Sequence, residues 1–345
     1  MIKIRSTRRL LLIILVGSFG VGSSHAQKFG TTGSIERLDD AINALVPANA
    51  KIEVLAKGFQ WSEGPVWLPS ENCLLFSDVP TNKVHRWDET SGLTTVLFPS
   101  GYTGEMPSRN REHGSNGLAL DQNNRLLLCQ HGDRRVARMT ADLNNPQSNF
   151  ETLAGKFQGK RFNSPNDLTV HSSGSIYFTD PPYGLDKLLN DPAKELAFQG
   201  VYRLDSDGEV HLLTDELSFP NGIGFSPDEQ FLYVAVSDSK RPVIMRYPVN
   251  SAGGIGKGAV FFDAKKLSKD NRRKGLPDGL RVDKLGNVFA TGPGGVLVIS
   301  PDGLHLGTIR TPDATANCEF GGADGSTLFM TSDMKLLRVK LTTTR

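Results

Sequence analysis

From about residue 59 to the C-terminus the chain repeats one arrangement of apolar and polar positions. An apolar alternating run is followed by a turn rich in Gly, Asn, Asp and Ser and then by a second apolar run, which is the pattern of a β-hairpin. One clear copy reads Asn166-Asp-Leu-Thr-Val, the turn His171-Ser-Ser-Gly-Ser, then Ile176-Tyr-Phe-Thr-Asp180. Others open at Glu63-Gly-Pro-Val-Trp67, Asn116-Gly-Leu-Ala-Leu120, Asn221-Gly-Ile-Gly-Phe225 and Asp278-Gly-Leu-Arg-Val282, and a degenerate sixth opens at Glu319. The steps between openings are 53, 50, 55, 57 and 41 residues, near or somewhat above the ~40 to 50 of a propeller repeat. Most copies continue into two further short apolar runs, as in Lys83–Trp87 with Leu93–Leu97 and Gly200–Leu204 with Glu209–Leu213. Four antiparallel strands repeated six times predict an all-β fold, a six-bladed β-propeller with four-stranded antiparallel blades.

That architecture makes a prediction about side chains. Each blade sets its first strand at the central channel, so the residues opening the first strands, Glu63, Asn116, Asn166, Asn221 and Asp278, are predicted to converge on one channel mouth. The long segments Gly101 to Gly114, Pro181 to Gln199 and Asp263 to Pro277 border the same mouth. Long Gly- and charge-rich loops on one face are where function concentrates.

The flanking regions read differently. Residues 1–26 carry Lys3, Arg5, Arg8 and Arg9, an apolar run from Leu10 to Val21 and the small-x-small triplet Ser24-His25-Ala26. This is the pattern of a cleaved signal peptide, too short to span a bilayer, and predicts a periplasmic or secreted protein. Within residues 27–58 the periodicity predicts a short helix over Ile35–Leu45 and a strand over Lys51–Leu55, and that strand is predicted to complete the last blade and close the ring. Residues 59–345 then form the propeller, with no Pro/Ser-rich linker to divide it.

Composition narrows the classes of partner. The net charge of +2 falls to −2 when the four basic residues of the leader are removed. A near-neutral chain argues against nucleic acid or an anionic membrane as partner, and leaves the oligomeric state open. Cys73, Cys129 and Cys318 have no metal-type spacing and lie in or beside apolar strand patterns, where Cys is commonly a small buried hydrophobe. The cluster Lys265, Lys266, Lys269, Arg272, Arg273 and Lys274 reads as a solvated loop.

Five oxygen-bearing side chains at one mouth, two of them carboxylates and none a thiolate, form a hard donor set suited to Ca²⁺ first, with Mg²⁺ or Mn²⁺ next. Asn, Asp and Gly also serve the turns that open strands. Glu63 and Asp278 fit that plainer explanation least, because Glu is a poor turn residue and both replace Asn at an equivalent repeat position.

The ordered motifs Glu63-Gly-Pro-Val-Trp67, Leu75-Phe-Ser-Asp-Val79, Gly159-Lys-Arg-Phe-Asn-Ser-Pro-Asn-Asp167, Tyr177-Phe-Thr-Asp-Pro-Pro-Tyr-Gly184, Pro220-Asn-Gly222 and Pro277-Asp-Gly279 resemble those of the gluconolactonase / senescence-marker-protein (regucalcin-like) family, in its bacterial gluconolactonase branch. The resemblance implies a six-bladed propeller with one divalent metal ion in the channel, held by Glu63, Asn166, Asn221 and Asp278, Zn²⁺ joining the alternatives to Ca²⁺. It implies a lactone hydrolase acting on a small sugar lactone, D-glucono-1,5-lactone above all, by attack of water on a metal-polarised carbonyl, with Asp278 as the catalytic proton acceptor. Asn116, His131, Arg161 and Asn166 are the substrate contacts it suggests. A Ser-Pro insertion at residues 164–165 shifts the register of Arg161 against the family's substrate-contacting Arg, and His131 reads equally as a solvated loop imidazole. Two other functions share this ring: a metal-dependent esterase or phosphotriesterase, and a non-enzymatic sugar- or calcium-binding propeller.

Overall fold

The computed structural model describes residues 29–105 and 111–342. The expected leader, residues 1–26, lies outside the described residues. Six antiparallel sheets form the blades, and secondary structure other than strand is confined among the described residues to four short 3-10 turns. The first strands are Ser62–Leu68, Ser115–Leu120, Leu168–Val170, Pro220–Phe225, Leu280–Val282 and Asn317–Gly321, numbered here as blades one to six. Each hairpin pairs in the register its alternation demands, as Leu168 opposite Phe178 and Val170 opposite Ile176 illustrate.

The core is divided as the blades are. One buried apolar cluster fills each of the six interfaces between neighbours, for instance Leu127, Phe162, Leu168, Phe178 and Tyr202 between blades two and three. Each fully buried Leu or Phe contributes about 1.5–3 kcal/mol, so the ring is held by side-to-side packing of blades rather than by one central core. That leaves the axis free for polar groups. Cys73, Cys129 and Cys318 are unpaired and serve as buried packing residues.

The N-terminal segment clasps the ring in two places. Ile52–Lys57 pairs antiparallel with Lys335–Lys340 and supplies the fourth strand of blade six, with Thr31–Thr32 paired outside it. The helix expected over Ile35–Leu45 is not formed. Ser34–Arg37 is a strand added to the outer edge of blade five at His305–Arg310, and only Asp40–Ala44 winds into a 3-10 turn, with Asp39 accepting a hydrogen bond from Ala41 N. The apolar positions Ile35, Ile42 and Leu45 do face one core, but covering an open sheet edge wins over a marginal single-sided helix.

The sixth repeat also starts earlier than expected. Ala316 N bonds Thr331 O as Asn166 N bonds Thr179 O and Asp278 N bonds Thr291 O. Ala316, not Glu319, therefore occupies the ring position of blade six, and Glu319 lies deeper in the channel.

Candidate active site

The first strands carry their opening residues to the mouth by a shared construction. In blades one, two and four the pairing with the second strand shifts register, between Glu63 and Val66, Ser115 and Leu118, and Pro220 and Ile223. Bulges of this kind re-aim side chains at functional sites. Neighbouring blades are then stitched at the same level. Ser77 Oγ donates to Asn116 O at 2.8 Å, Thr179 Oγ1 to Asn221 O at 2.7 Å and Thr291 Oγ1 to Ala316 O at 2.9 Å. The strands approach so closely that a Cβ on Gly64 would sit 2.0 Å from Asn116 O, and one on Gly222 would sit 2.1 Å from Asp278 O. The Glu-Gly, Asn-Gly and Asp-Gly pairs that open the repeats are thus required by packing at the axis.

Glu63, Asn116, Asn166 and Asn221 are all buried in this ring, and Asp278 is half-buried at it. Glu63 Oε1 accepts from Trp61 Nε1 at 3.4 Å and Oε2 from Gly64 N at 3.2 Å. Burial, followed by the charge of Asp167, pushes the Glu63 carboxyl up to about 8. Burial, followed by the Glu63 charge, holds Asp278 well above the usual carboxylate range. The Asn221 amide donates to Ser237 Oγ at 3.0 Å and hydrogen-bonds the Asp278 carboxylate. Asp278 Oδ1 and Asn116 Oδ1 are sealed from solvent and have no hydrogen-bond partner among the described residues.

The ring is rich in acceptor oxygens and short of donors. Two acidic groups crowd each other out of ionisation, and two buried oxygens are left without the donors that such atoms ordinarily have. Glu63, Asn166, Asn221 and Asp278 fit a divalent cation, because carboxylate and amide oxygens are hard donors and two negative charges match its own. Among the described residues no three His, Cys, Asp or Glu side chains cluster as a metal site. The proposed ligand set instead draws half of its side chains from Asn.

Of the proposed substrate contacts, Asn116, Asn166 and His131 come together. His131 is fully buried, with Nε2 3.5 Å from Asn166 Nδ2 and Nδ1 3.9 Å from Glu112 Oε2. Burial pushes its imidazole down to about 3, so the ring is neutral. Arg161 is not brought in. It sits exposed on a small hairpin, Lys156–Phe157 with Lys160–Arg161, and its guanidinium donates to Asp133 O at 3.1 Å. Asp180 shapes a turn, accepting from Asn163 N and Ser164 N at 2.8 Å each, and so holds the segment leading to Asn166.

The long loops supply side chains that the repeat pattern alone did not single out. Glu112, from the Gly101 to Gly114 segment, adds a further carboxylate close enough to raise Glu63 and Asp278. Tyr183, from the Pro181 to Gln199 segment, hydrogen-bonds Ser237 and Asn221. Gly184 lets that loop pack down, since a Cβ there would meet Ser164 and His131 at 2.7 and 2.8 Å. The third long segment turns its charges elsewhere, with Arg273 on Glu36 and Lys274 on Asp313.

Fold and site together define a six-bladed propeller whose channel mouth is lined by the oxygens of Glu63, Asn116, Asn166, Asn221 and Asp278. Residues 61–334 match the family model described as the SMP-30/Gluconolactonase/LRE-like region, and the chain belongs to that family. It is 39% identical to a gluconolactonase of Zymomonas mobilis over 93% of this chain and 91% of that one. It is 26% identical to a pentonolactonase of Haloferax volcanii over 78% of this chain and 80% of the relative. A solved gluconolactonase of Xanthomonas campestris superposes with a TM-score of 0.77 at 32% identity, covering 92% of this chain and 98% of its own. These relatives named by activity are lactone hydrolases.

Proposed function

We propose that this enzyme, a lactone hydrolase, acts on sugar lactones at the channel mouth, with D-glucono-1,5-lactone as the preferred substrate and Ca²⁺ as the resident cation. The observation that carries the reading is the pair of sealed, unpartnered oxygens, Asp278 Oδ1 and Asn116 Oδ1, among carboxylates that cannot ionise together. Glu63, Asn166, Asn221 and Asp278 would hold the ion. A divalent cation bound there supplies positive charge for the lactone carbonyl oxygen and for acidifying a water.

The protein's own groups do the rest. Asp278 accepts the proton of the attacking water as the new C–O bond forms. The acyl–oxygen bond of the ring then breaks, the former ring oxygen takes that proton, and an open-chain hydroxy acid leaves. Neutral His131, with the amides of Asn116 and Asn166, offers hydrogen bonds to sugar hydroxyls without adding charge. Tyr183 borders the pocket at Asn221 and leans on Phe219, ring centroids 5.7 Å apart, which gives one wall an apolar face. That wall is the feature that would suit an aryl ester, so an aryl ester and a phosphotriester belong beside the sugar lactones in the assay.

The test is hydrolysis of D-glucono-1,5-lactone by residues 27–345, metal-stripped and then resupplied with Ca²⁺, Mg²⁺, Mn²⁺ or Zn²⁺. Turnover well above the spontaneous rate with one or more cations, and lost on stripping, supports the reading. Cation binding with no turnover on any lactone would overturn it. The leader-like residues 1–26 further motivate the proposal that the enzyme works in the periplasm or outside the cell. Mass spectrometry of the protein from its own cells should find an N-terminus near Gln27, and an intact N-terminus in the cytosol would refute export.

A further inference from the structure

Beneath the oxygen ring the channel holds a second layer of charge that the hydrolysis does not use. In four blades the residue after the ring position is glycine, namely Gly64, Gly117, Gly222 and Gly279. Blade three has Asp167 there and blade six has Asn317. These two blades stand opposite each other in the six-membered ring, and their side chains meet across the axis, Asn317 Nδ2 lying 3.4 Å from Asp167 Oδ2. Asp167 is 1% exposed, and its Oδ1 accepts from Leu168 N at 2.9 Å. No cation lies within ion-pair distance of it among the described residues.

One level deeper lies a guanidinium. Arg281 of blade five donates from Nε to Glu319 Oε2 of blade six at 2.8 Å, and from a terminal nitrogen to Leu280 O at 2.8 Å. Its other terminal nitrogen reaches Pro65 O of blade one at 3.4 Å. The layers follow one another along the strands: Asp167 comes directly after Asn166 of the ring, and Arg281 comes three residues after Asp278.

At the equivalent position four blades accept no side chain at all. The Asp167 carboxylate accepts from Leu168 N, from Ile223 N and from Asn317 Nδ2, yet these neutral donors leave its buried charge without a countercharge in contact. A lone buried carboxylate facing two others is destabilising unless something positive arrives above it.

We propose that Asp167 is a positioning residue for the cation site, a third carboxylate that draws a divalent ion into the ring without ligating it, and that Arg281 is its counterweight. This rests on the reading that the ring holds a divalent cation. The charge layer has a distinctive consequence: neutralising Asp167 and neutralising Arg281 should shift cation affinity in opposite directions, although neither residue is a ligand.

The experiment is calorimetric titration of the metal-stripped mature chain with Ca²⁺ alone, together with its melting temperature without metal. For Asp167→Asn the Ca²⁺ Kd is expected to rise about tenfold, the low end of outer-shell effects, while the metal-free melting temperature rises because a crowded charge is gone. For Arg281→Met the Kd is expected to fall, and Arg281→Lys should stay near the parent. A residue that merely supported the fold would lower the metal-free melting temperature when changed. An unchanged or tighter Kd in Asp167→Asn, or a lowered metal-free melting temperature, overturns the proposal. Should Arg281→Met fail to fold, Asp167→Asn decides alone. If the parent protein takes up no Ca²⁺, Mg²⁺ or Mn²⁺, the cation reading falls and this proposal with it; if the parent binds and Asp167→Asn binds equally, only this proposal falls.

Discussion

The two ends of the central channel are made by the same six strands and could hardly be less alike. At the upper end the strands finish in Glu63, Asn116, Asn166, Asn221 and Asp278, roofed by long loops. At the lower end they open into a funnel of about 460 Å³ whose wall mixes apolar side chains such as Val66, Ile223 and Phe225 with the charged Glu229, Arg281, Lys284 and Glu319. The polar groups between them differ as well. Arg281 makes close hydrogen bonds to Glu319 and Leu280, whereas Asp278 and Asn116 each keep a sealed oxygen with no partner. An unpaired buried polar atom costs about 1–3 kcal/mol. The difference is one of charge: the Glu319 carboxylate is paired with the Arg281 guanidinium, whereas no cationic side chain lies within ion-pair distance of Asp278 among the described residues.

Asp278→Asn should break this contrast most severely, because it removes both a cation ligand and the proton acceptor while keeping the shape of the ring. The expected fall in kcat/KM on gluconolactone is about 10³-fold, within the range for loss of a general base, with an unchanged circular dichroism spectrum. A loss below tenfold would move the proton transfer to another group, Glu112 first. Glu63→Gln comes next. Glu63 binds but accepts no proton in this scheme, so the expected loss is about 100-fold at limiting cation and is largely recovered at high Ca²⁺. Failure of excess cation to restore turnover would give Glu63 a role in chemistry as well.

The lower end of each blade was far more legible in the sequence than the upper end. The turns after the first strands are short and share their chemistry, as in Asp121-Gln-Asn-Asn124 and Asp283-Lys-Leu-Gly286, where Asp121 and Asp283 each cap their own turn. Their regularity gave the blade count and most strand positions. The five ring residues followed from topology alone, since a first strand has no other place to begin. Blade six was misread because its opening residue is alanine, so the oxygen pattern pointed to Glu319 instead. Asp167 carried a signal that went unread: it stands where four repeats have glycine, and a charge that replaces an obligate glycine faces the axis. Glu112 and Tyr183 lie on loops that the topology places at the mouth, but the contacts they make there depend on tertiary packing that no repeat encodes. Arg161 shows the converse hazard, a plausible residue in a matching motif that sits exposed and spends its guanidinium on Asp133 O.

The pH dependence of the metal-free protein sharpens the comparison further, with a smaller effect. The Glu63 carboxyl is held at about 8 against an ordinary 4.5, so the folded chain binds a proton there that the unfolded chain has released. Stability then falls as pH rises from about 4.5 to 8, the sign set by greater proton binding in the native state. Ca²⁺ should flatten that slope and, at pH 7, should displace about one proton per ion bound. Melting curves between pH 5 and 8 with and without Ca²⁺ test the first point, and calorimetry in buffers of different ionisation enthalpy tests the second. Parallel curves with no proton release would mean that the carboxylates are already ionised, and the ring would not be short of charge.

The smallest effect belongs to the other mouth. Trp67 lies half-buried on the funnel wall and stacks on Phe329, centroids 5.3 Å apart and planes within 15°. Trp67→Phe keeps the stack and trims the wall. If the funnel is only where packed blades stop, the change costs about 1–2 kcal/mol of stability and leaves kcat/KM and the Ca²⁺ Kd within about twofold. Arg281 stands between the funnel and the ring, its guanidinium fixed by Glu319 and by Leu280 O. A tenfold change in either constant would show that the lower mouth communicates with the chemistry, and the two ends of the channel would have to be treated as one site.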